Sequence, residues 1–364
     1  TYRYCTEVLM KSEITSEKIK NLLRGKGDSL ITASSGKITR IHLHTDSPAE
    51  IVHLLHKRGE IIEQKVDDMK RQQQMSHQNK KNIALVTDSI ADIPQDLLDR
   101  YQIHLIPVNI IIDGVNYLDK LSISPDYLYK YIKTAEEFPS SSQPGLDFVY
   151  KKLREITGYY DSILIISVSE ALSGTGKVFQ QAKAKLEQDK NIKISYINSR
   201  LNSGAQGLLV LKAAEEIEKG KSLNQIEKTI KEYRQNSEIL VKVETLEYMV
   251  RGGRISPMKG FIANLLHLKP VVSLNDRGEG IIRAKALTKK SVNRKLKNIL
   301  INITNISNIE KYAVVHARAP EAAVKFKEEI KQILDTEPEY ITEISSVTAL
   351  NSGKGAVALS ILAG

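Results

Sequence analysis

Two kinds of apolar patterning follow one another along this chain, and a polar stretch near residue 80 divides them. Before it, Thr39-Arg40-Ile41-His42-Leu43-His44-Thr45 alternates with a period of two. That pattern predicts a strand with Ile41 and Leu43 on one face and His42 and His44 on the other. Residues 13–23 read as a helix and 28–33 as a strand. Asp46-Ser47-Pro48-Ala49-Glu50 opens a further helix, with a capping residue and an early proline. Residues 1–72 are thus expected to form a small α+β module.

Residues 67–81 show no apolar period beyond Met69 and Met75, and 73–81 reads as a linker. Beyond it, strand-like runs at 83–86, 103–112, 162–167 and 192–197 alternate with helical runs at 125–132, 147–156, 176–187 and 203–219. Such alternation predicts a mostly parallel sheet covered by helices, assigned to 82–236. From 239 the runs shorten, at 239–243, 270–274, 281–287, 312–316, 340–347 and 356–362, with a helix at 319–334. A second lobe over 237–364, with antiparallel strands, is expected from them. The fold class is therefore α/β and two-lobed, preceded by a small α+β module.

Composition narrows the class. A chain of 364 residues suits two or three domains, and 41% hydrophobic with 26% charged residues is a globular mix. No run approaches the ~18 apolar residues of a transmembrane helix, so no stable membrane anchor is expected. One cysteine excludes a disulfide framework and points to a reducing, cytoplasmic compartment. The chain begins at Thr1 without a leader-like segment and reads as a piece of something longer. Without tryptophan, and with 5% aromatics, a stacking surface for single-stranded nucleic acid is not expected. The net charge of +10 is diffuse except over 280–309. Arg283, Lys285, Lys289, Lys290, Arg294, Lys295 and Lys297 meet no acid there. Such a run is a solvated helix face, a cradle for an anionic head group, or a dock for an acidic partner.

Three constellations carry chemistry. His42 and His44, at i and i+2 of a strand, can converge with Cys5 on one metal. A thiolate with two imidazoles suits zinc and leaves a fourth position; an exposed strand face with an unrelated cysteine is the other reading. The second is a set of hydroxyl-bearing segments near strand ends: Thr87-Asp88-Ser89, Ser140-Ser141-Ser142-Gln143-Pro144 in a loop, and Ser173-Gly174-Thr175. Ligands of open α/β sheets sit beyond the carboxyl ends of strands, where such groups meet carboxylates or phosphates; simple helix capping is the alternative. The third places Arg251 and Arg254 around Gly252-Gly253, ahead of an apolar run at 261–266 that is core or the lining of a slot. There is no nucleophile elbow, no dinucleotide fingerprint and no Walker loop. An enzyme using the serine cluster would need a base near Ser173, for which Asp88 and Glu244 are the candidates. A regulatory or nucleic-acid-binding module is the rival suggested by the charge, although no DNA-binding motif accompanies it.

From residue 82 onward the sequence resembles the DegV family, the fatty-acid-binding proteins of bacterial fatty acid kinase. The motifs are Thr87-Asp88-Ser89-Ile90-Ala91-Asp92, Phe138-Pro139-Ser140-Ser141-Ser142-Gln143-Pro144, Leu172-Ser173-Gly174-Thr175, Asn198-Ser199-Arg200, Thr245-Leu246-Glu247-Tyr248, Arg251-Gly252-Gly253-Arg254-Ile255-Ser256 and Leu268-Lys269-Pro270, in the family's order. Tyr4-Cys5-Thr6-Glu7, Gly27-Asp28-Ser29-Leu30 and His42-Leu43-His44-Thr45 resemble the non-catalytic linker portion of the partner kinase protein.

The resemblance implies a buried acyl chain whose carboxylate meets Ser141, Ser142, Ser173, Thr175, Ser89 and Thr288. It also implies anion or partner contacts at Arg251, Arg254 and Lys289, and zinc on Cys5, His42 and His44. The implied ligand is a long-chain fatty acid. The implied partner is an ATP-binding kinase domain of the same or another chain, missing upstream here, so that this chain itself is not an enzyme. A homodimer is compatible with the resemblance; a nucleic acid partner is not implied. Several positions depart from the family's pattern. Ser141 stands for the usual Thr, Leu287 for an arginine, and Asn198 for an acid. Asn351-Ser352-Gly353-Lys354-Gly355 replaces a His-x-Gly-Pro-Gly stretch. These departures bear on head-group geometry and partner docking, and leave room for a divergent member with another amphipathic ligand.

Overall fold

The computed structural model describes residues 2–77, 82–189, 192–254 and 269–364. The apolar run at 261–266, together with Ile255, Ser256 and Leu268, lies outside the described residues.

The chain opens with β1 (Tyr4–Lys11), α1 (Ser16–Leu23), β2 (Asp28–Ser35), β3 (Ile38–Thr45), α2 (Pro48–His56), β4 (Glu60–Asp68) and α3 (Met69–His77). The four strands form an antiparallel sheet in the order β2-β3-β1-β4. Alternation sends Thr6, Val8 and Met10 of β1, and Ile41 and Leu43 of β3, into a core closed by Ile19 and Leu23 of α1 and Ile51, Val52 and Leu55 of α2. The expected α+β module is present, with differences. β1 and β4 are added to it, and the segment read as a linker from 73 is helical to His77. Polar residues hid this helix, because only Arg71 and Met75 among its described side chains are buried. At α2 the side chain of Ser47 makes no capping bond; Pro48 supplies the preset first turn.

After β5 (Ile83–Asp88), α4 (Gln95–Arg100) and β6 (His104–Ile106), the chain passes Pro107 into β7 (Asn109–Ile112), β8 (Val115–Leu118), α5 (Pro125–Tyr131) and β9 (Ser140–Ser142). The single strand expected at 103–112 is thus two strands in different sheets, because Pro107 lacks the amide that would continue a ladder. β7 and β8 form a hairpin through Asp113-Gly114, both at positive φ, as a tight two-residue turn requires. The serines 140–142, read as a loop, form β9 and pair with β7.

Then follow α6 (Leu146–Ile156), β10 (Ser162–Ser167), α7 (Thr175–Asp189), β11 (Lys193–Asn198), α8 (Ser203–Glu218), α9 (Leu223–Asn236), β12 (Glu238–Lys242) and α10 (Glu247–Arg251). The chain closes with β13 (Val271–Leu274), β14 (Gly280–Ala284), α11 (Lys289–Ile306), β15 (Ile309–His316), α12 (Pro320–Leu334), β16 (Tyr340–Glu343), α13 (Ser346–Ser352) and β17 (Val357–Ala363). The strand expected at 340–347 stops at Glu343, and Ser345 caps α13 by accepting from the Thr348 amide.

The chain divides into two compact units. The first joins the N-terminal module to 107–142, with its second sheet in the order β8-β7-β9. The second holds the parallel sheet β11-β10-β5-β6 and a six-stranded sheet β14-β13-β12-β17-β15-β16, antiparallel except between β15 and β16. β5 is buried along its whole length, as a parallel strand covered on both faces must be. α8 packs against β5 and β10 on one side and β15 and β17 on the other. A helix buried all round is apolar all round, which is how Gly204 through Ala214 read apart from Gln206 and Lys212.

Candidate functional site

Cys5, His42 and His44 come together on the outer face of the N-terminal sheet. β1 and β3 place Cys5 directly opposite His44, and Glu7 opposite His42. One ligand atom from each of the three lies within 4.8 Å of the others. Cys5 Sγ and His42 Nδ1 are 3.8 Å apart, and the two imidazole centroids 5.1 Å. Tetrahedral zinc, with bonds of about 2.0–2.3 Å, needs ligand atoms roughly 3.3–3.8 Å apart, so this donor set fits after small side-chain adjustments. His44 Nδ1 lies 3.1 Å from Asp28 Oδ1, which leaves Nε2 free to ligate and orients the ring. Burial, with the Asp67 and Glu7 carboxylates beside it, pushes the Cys5 thiol up. Among the described residues no other such group of three occurs.

In the second unit, the loop after β10 is built for hydroxyls. Ser173 Oγ lies 2.9 Å from Thr175 Oγ1 and accepts from the Thr175 amide at 3.3 Å, at the start of the 15-residue α7. Gly174 lets the Gln143 side chain approach closely: a Cβ would stand 1.8 Å from Gln143 Oε1 and push that side chain aside. Gly176 leaves room for the Tyr196 hydroxyl, which donates to Glu170 Oε1 at 2.7 Å and lies 2.8 Å from Ser167 Oγ. Burial raises the Tyr196 hydroxyl above its ordinary range and keeps it protonated. Ser89 is fully buried, and its amide donates to Ile106 O at 3.0 Å.

The two carboxylates considered as bases have other work. Asp88 accepts from the Val168 amide at 2.8 Å, the Ile90 amide at 3.2 Å and Gln206 Nε2 at 3.1 Å, clamping the ends of β5 and β10 to α8. Glu244 sits between Lys269 Nζ at 2.9 Å and Lys289 Nζ at 2.7 Å. Partial burial pushes its carboxyl up, but the two ammonium groups outweigh this and hold it below the usual range.

Ser141 and Ser142 are half-buried on β9, in the first unit, opposite Ile110 and Asn109. Thr288 is exposed and caps α11, its hydroxyl accepting from the Ser291 amide at 3.2 Å. Arg251 pairs with Glu247 at 2.8 Å within α10, while Arg254 is half-buried and donates to Gly252 O. Gly252 lies against Asn351, whose Oδ1 would stand 2.2 Å from a Cβ there. The arginine motif and the departed C-terminal motif thus form one contact. The basic run spans β14 and the first turns of α11, and it has acidic neighbours from other segments. Arg283 meets Glu238 at 3.4 Å, Lys297 meets Glu329 at 3.5 Å, and Lys289 meets Glu244.

Sequence reasoning missed Asp92 as a structural clamp. Fully buried, it accepts from Ser203 Oγ at 2.6 Å and from the Ser345 amide at 2.7 Å. Its only sequence signal was its place in the Thr87–Asp92 motif.

A parallel and a mixed sheet sharing one buried helix define an α/β architecture, a class in which ligands commonly sit beyond the carboxyl ends of strands. The chain belongs to the DegV family, whose model matches residues 82–364. Residues 1–76 match the model for the FakA-like middle domain of fatty acid kinase, which is not a catalytic kinase domain. A DegV domain-containing protein of Clostridium acetobutylicum is 31% identical over 284 residues, 77% of this chain and 99% of that relative. Protein DegV of Bacillus subtilis is 29% identical over 286 residues, 76% and 98% of the two chains. The structure of DegV from Bacillus subtilis, described as a fatty acid binding protein, superposes with a TM-score of 0.70 at 28% identity, covering 78% of this chain and all of that one. A fatty acid binding DegV family protein from Streptococcus agalactiae gives 0.70 at 27% identity, over 78% and 99%. No helix among the described residues is long and apolar enough to cross a membrane.

Proposed function

We propose that this chain is a fatty-acid-binding protein that buries an acyl chain and presents its carboxylate to a fatty acid kinase domain for acyl-phosphate formation. The observation that carries this reading is the presence, in one chain, of a DegV region over 82–364 and a FakA-like middle domain over 1–76. A domain that holds the acyl chain and a domain from the phosphorylating machinery gain from being joined when one feeds the other. Each buried CH₂ contributes ~0.8 kcal/mol, so a long chain supplies the affinity and a few hydroxyls orient the head.

Ser173 and Thr175, 2.9 Å apart at the start of α7, supply two such hydroxyls. Ser141, Ser142, Ser89 and Thr288 take the same role by the resemblance, and Arg251, Arg254 and Lys289 contact the partner or the emerging anion. In the transfer, a carboxylate oxygen takes the terminal phosphoryl group of ATP, leaving ADP. This chain's residues hold the carboxylate, and the kinase domain supplies the nucleotide site. Cys5, His42 and His44 are the residues that would hold zinc, which would supply a structural tie and take no part in the transfer.

Extraction of the purified chain followed by lipid mass spectrometry tests the ligand, with fatty acid expected in the wild type and lost in Ser173→Ala. A wild-type chain that neither carries nor takes up fatty acid would sink the reading. Presentation is tested by adding an ATP-binding fatty acid kinase domain and trapping acyl phosphate as a hydroxamate. No trapped product from a loaded chain leaves a binding protein without that partner.

A further inference from the structure

The N-terminal module is an addition to the DegV architecture, since relatives covered over 98–99% of their length align to only 76–78% of this chain. It is seated on a cluster of tyrosines from 107–142. His56 Nδ1 lies 3.2 Å from Tyr117 Oη, and His53 Nδ1 lies 2.8 Å from Tyr131 Oη. The His53 ring stacks on Tyr127 with centroids 4.3 Å apart, and Gln64 of β4 donates to Asn116 O at 3.0 Å. Tyr117 is fully buried and Tyr131 is 7% exposed, so this is a packed contact.

The other end of the same small sheet carries two of the hydroxyls assigned to the carboxylate. Tyr117 of β8 pairs with Ile110 of β7, and Ile110 pairs with Ser141 of β9. Residues directly opposite in a sheet share a face, and neighbouring strands lie about 4.8 Å apart. Tyr117, Ile110 and Ser141 therefore form one row, with Ser141 two strands from the tyrosine that α2 covers. Strands of three and four residues do not hold their own position; they need a packed face. That face is anchored by Ile110 and Tyr117, both fully buried.

We infer that the N-terminal module is a positioning element for the acyl carboxylate: docking of α2 on Tyr117 and Tyr131 holds β9, and with it Ser141 and Ser142, in the binding geometry. The inference rests on the fatty-acid reading above and adds that the added module sets head-group affinity. His53, His56, Tyr117 and Tyr131 are positioning residues and do not touch the ligand.

The test compares a fluorescent fatty acid with the fatty alcohol of the same chain, bound to the full-length protein. In His53→Ala/His56→Ala the acid is expected to bind about tenfold or more weakly while the alcohol changes far less, because serine hydroxyls bond a charged carboxylate more strongly than a neutral hydroxyl. His56→Asn, which keeps a hydrogen-bonding group near the place of Nδ1, is expected to retain more affinity for the acid than His56→Ala. Tyr117→Phe, which removes one hydroxyl and keeps the packed ring, serves as a second variant should the double one fold poorly, and is expected to weaken the acid far more than the alcohol. Unchanged acid affinity, or equal loss of acid and alcohol, overturns the inference and leaves the fatty-acid reading standing. A wild type that binds neither compound overturns both.

Discussion

The carboxylate of Asp92 accepts a 2.7 Å hydrogen bond from the backbone amide of Ser345, 253 residues further along the chain. Its other oxygen accepts from Ser203 Oγ at the start of α8, so one buried side chain ties together the loop after β5, the shared helix and the turn before α13. Removing it strands a buried amide and a buried hydroxyl. Asp92→Ala is expected to destabilise the fold by about 3–6 kcal/mol, the sum of two lost bonds to a charged acceptor. A urea midpoint unchanged from the wild type would contradict this account.

The approach of α8 to the six-stranded sheet depends on Gly204, where a Cβ would stand 2.5 Å from Ser360 Oγ and 2.9 Å from Val315 Cγ1. Gly204→Ala overfills that contact and is expected to cost about 1–3 kcal/mol. Thermal melting at fixed protein concentration checks it, with Ser222→Ala at the exposed cap of α9 as the mild comparison.

Zinc content tests the outer face of the N-terminal sheet. Cys5→Ser and His44→Ala are expected to abolish stoichiometric zinc, while Asp28→Asn, which removes the carboxylate 3.1 Å from His44 Nδ1, is expected to weaken retention by about 10–100-fold. The readout is zinc released to a colorimetric chelator as its concentration is raised. Equal retention in Asp28→Asn and wild type would remove Asp28 from the site.

The docking of α2 on the tyrosines carries a pH signature. Burial, then the Lys57 and Lys130 charges, lower His53 from 6.5 to about 4, and burial lowers His56. The undocked rings take up protons between pH 6.5 and 4 that the docked rings refuse, so stability rises with pH across that window and levels off above it. Unfolding followed from about pH 4 to 7 is expected to show this slope, and His53→Ala is expected to flatten it. A slope identical in the variant would assign the effect elsewhere.

Lys242 gives the opposite end of the pH scale. Burial against Phe326, whose ring centroid is 3.6 Å from Nζ, lowers its amine to about 8, with Asn293 Oδ1 at 3.1 Å as its hydrogen-bond partner. The unfolded amine holds its proton up to 10.5, so Lys242 contributes a rise in stability between pH 8 and 10.5. Lys242→Met is expected to raise stability at pH 7 by roughly 1–2 kcal/mol and to weaken that rise, since it relieves desolvation of a charge. Denaturation at about pH 7 and pH 10 distinguishes the two outcomes.

Much of this was legible along the chain. The period of two in 39–45 placed His42 and His44 together, and the structure agrees, because strand geometry makes alternation local. The DegV motifs in their order pointed to the family that the comparisons establish. The elements that escaped were those with weak local signals. β9 is three serines, and α3 is polar on most of its surface. At 103–112 a continuous apolar run concealed a change of sheet that Pro107 enforces.

The sequence by itself determined which faces are apolar, where hydroxyls cluster and which family the chain joins, since each is carried by neighbouring residues. Only the tertiary structure decided that Cys5 lies opposite His44, that Asp92 holds Ser345, and that 107–142 packs with the N-terminal module. Those are pairings between distant segments. Many partners satisfy the local pattern of each segment equally well, and the choice among them is made when strand register and buried volume must be satisfied together.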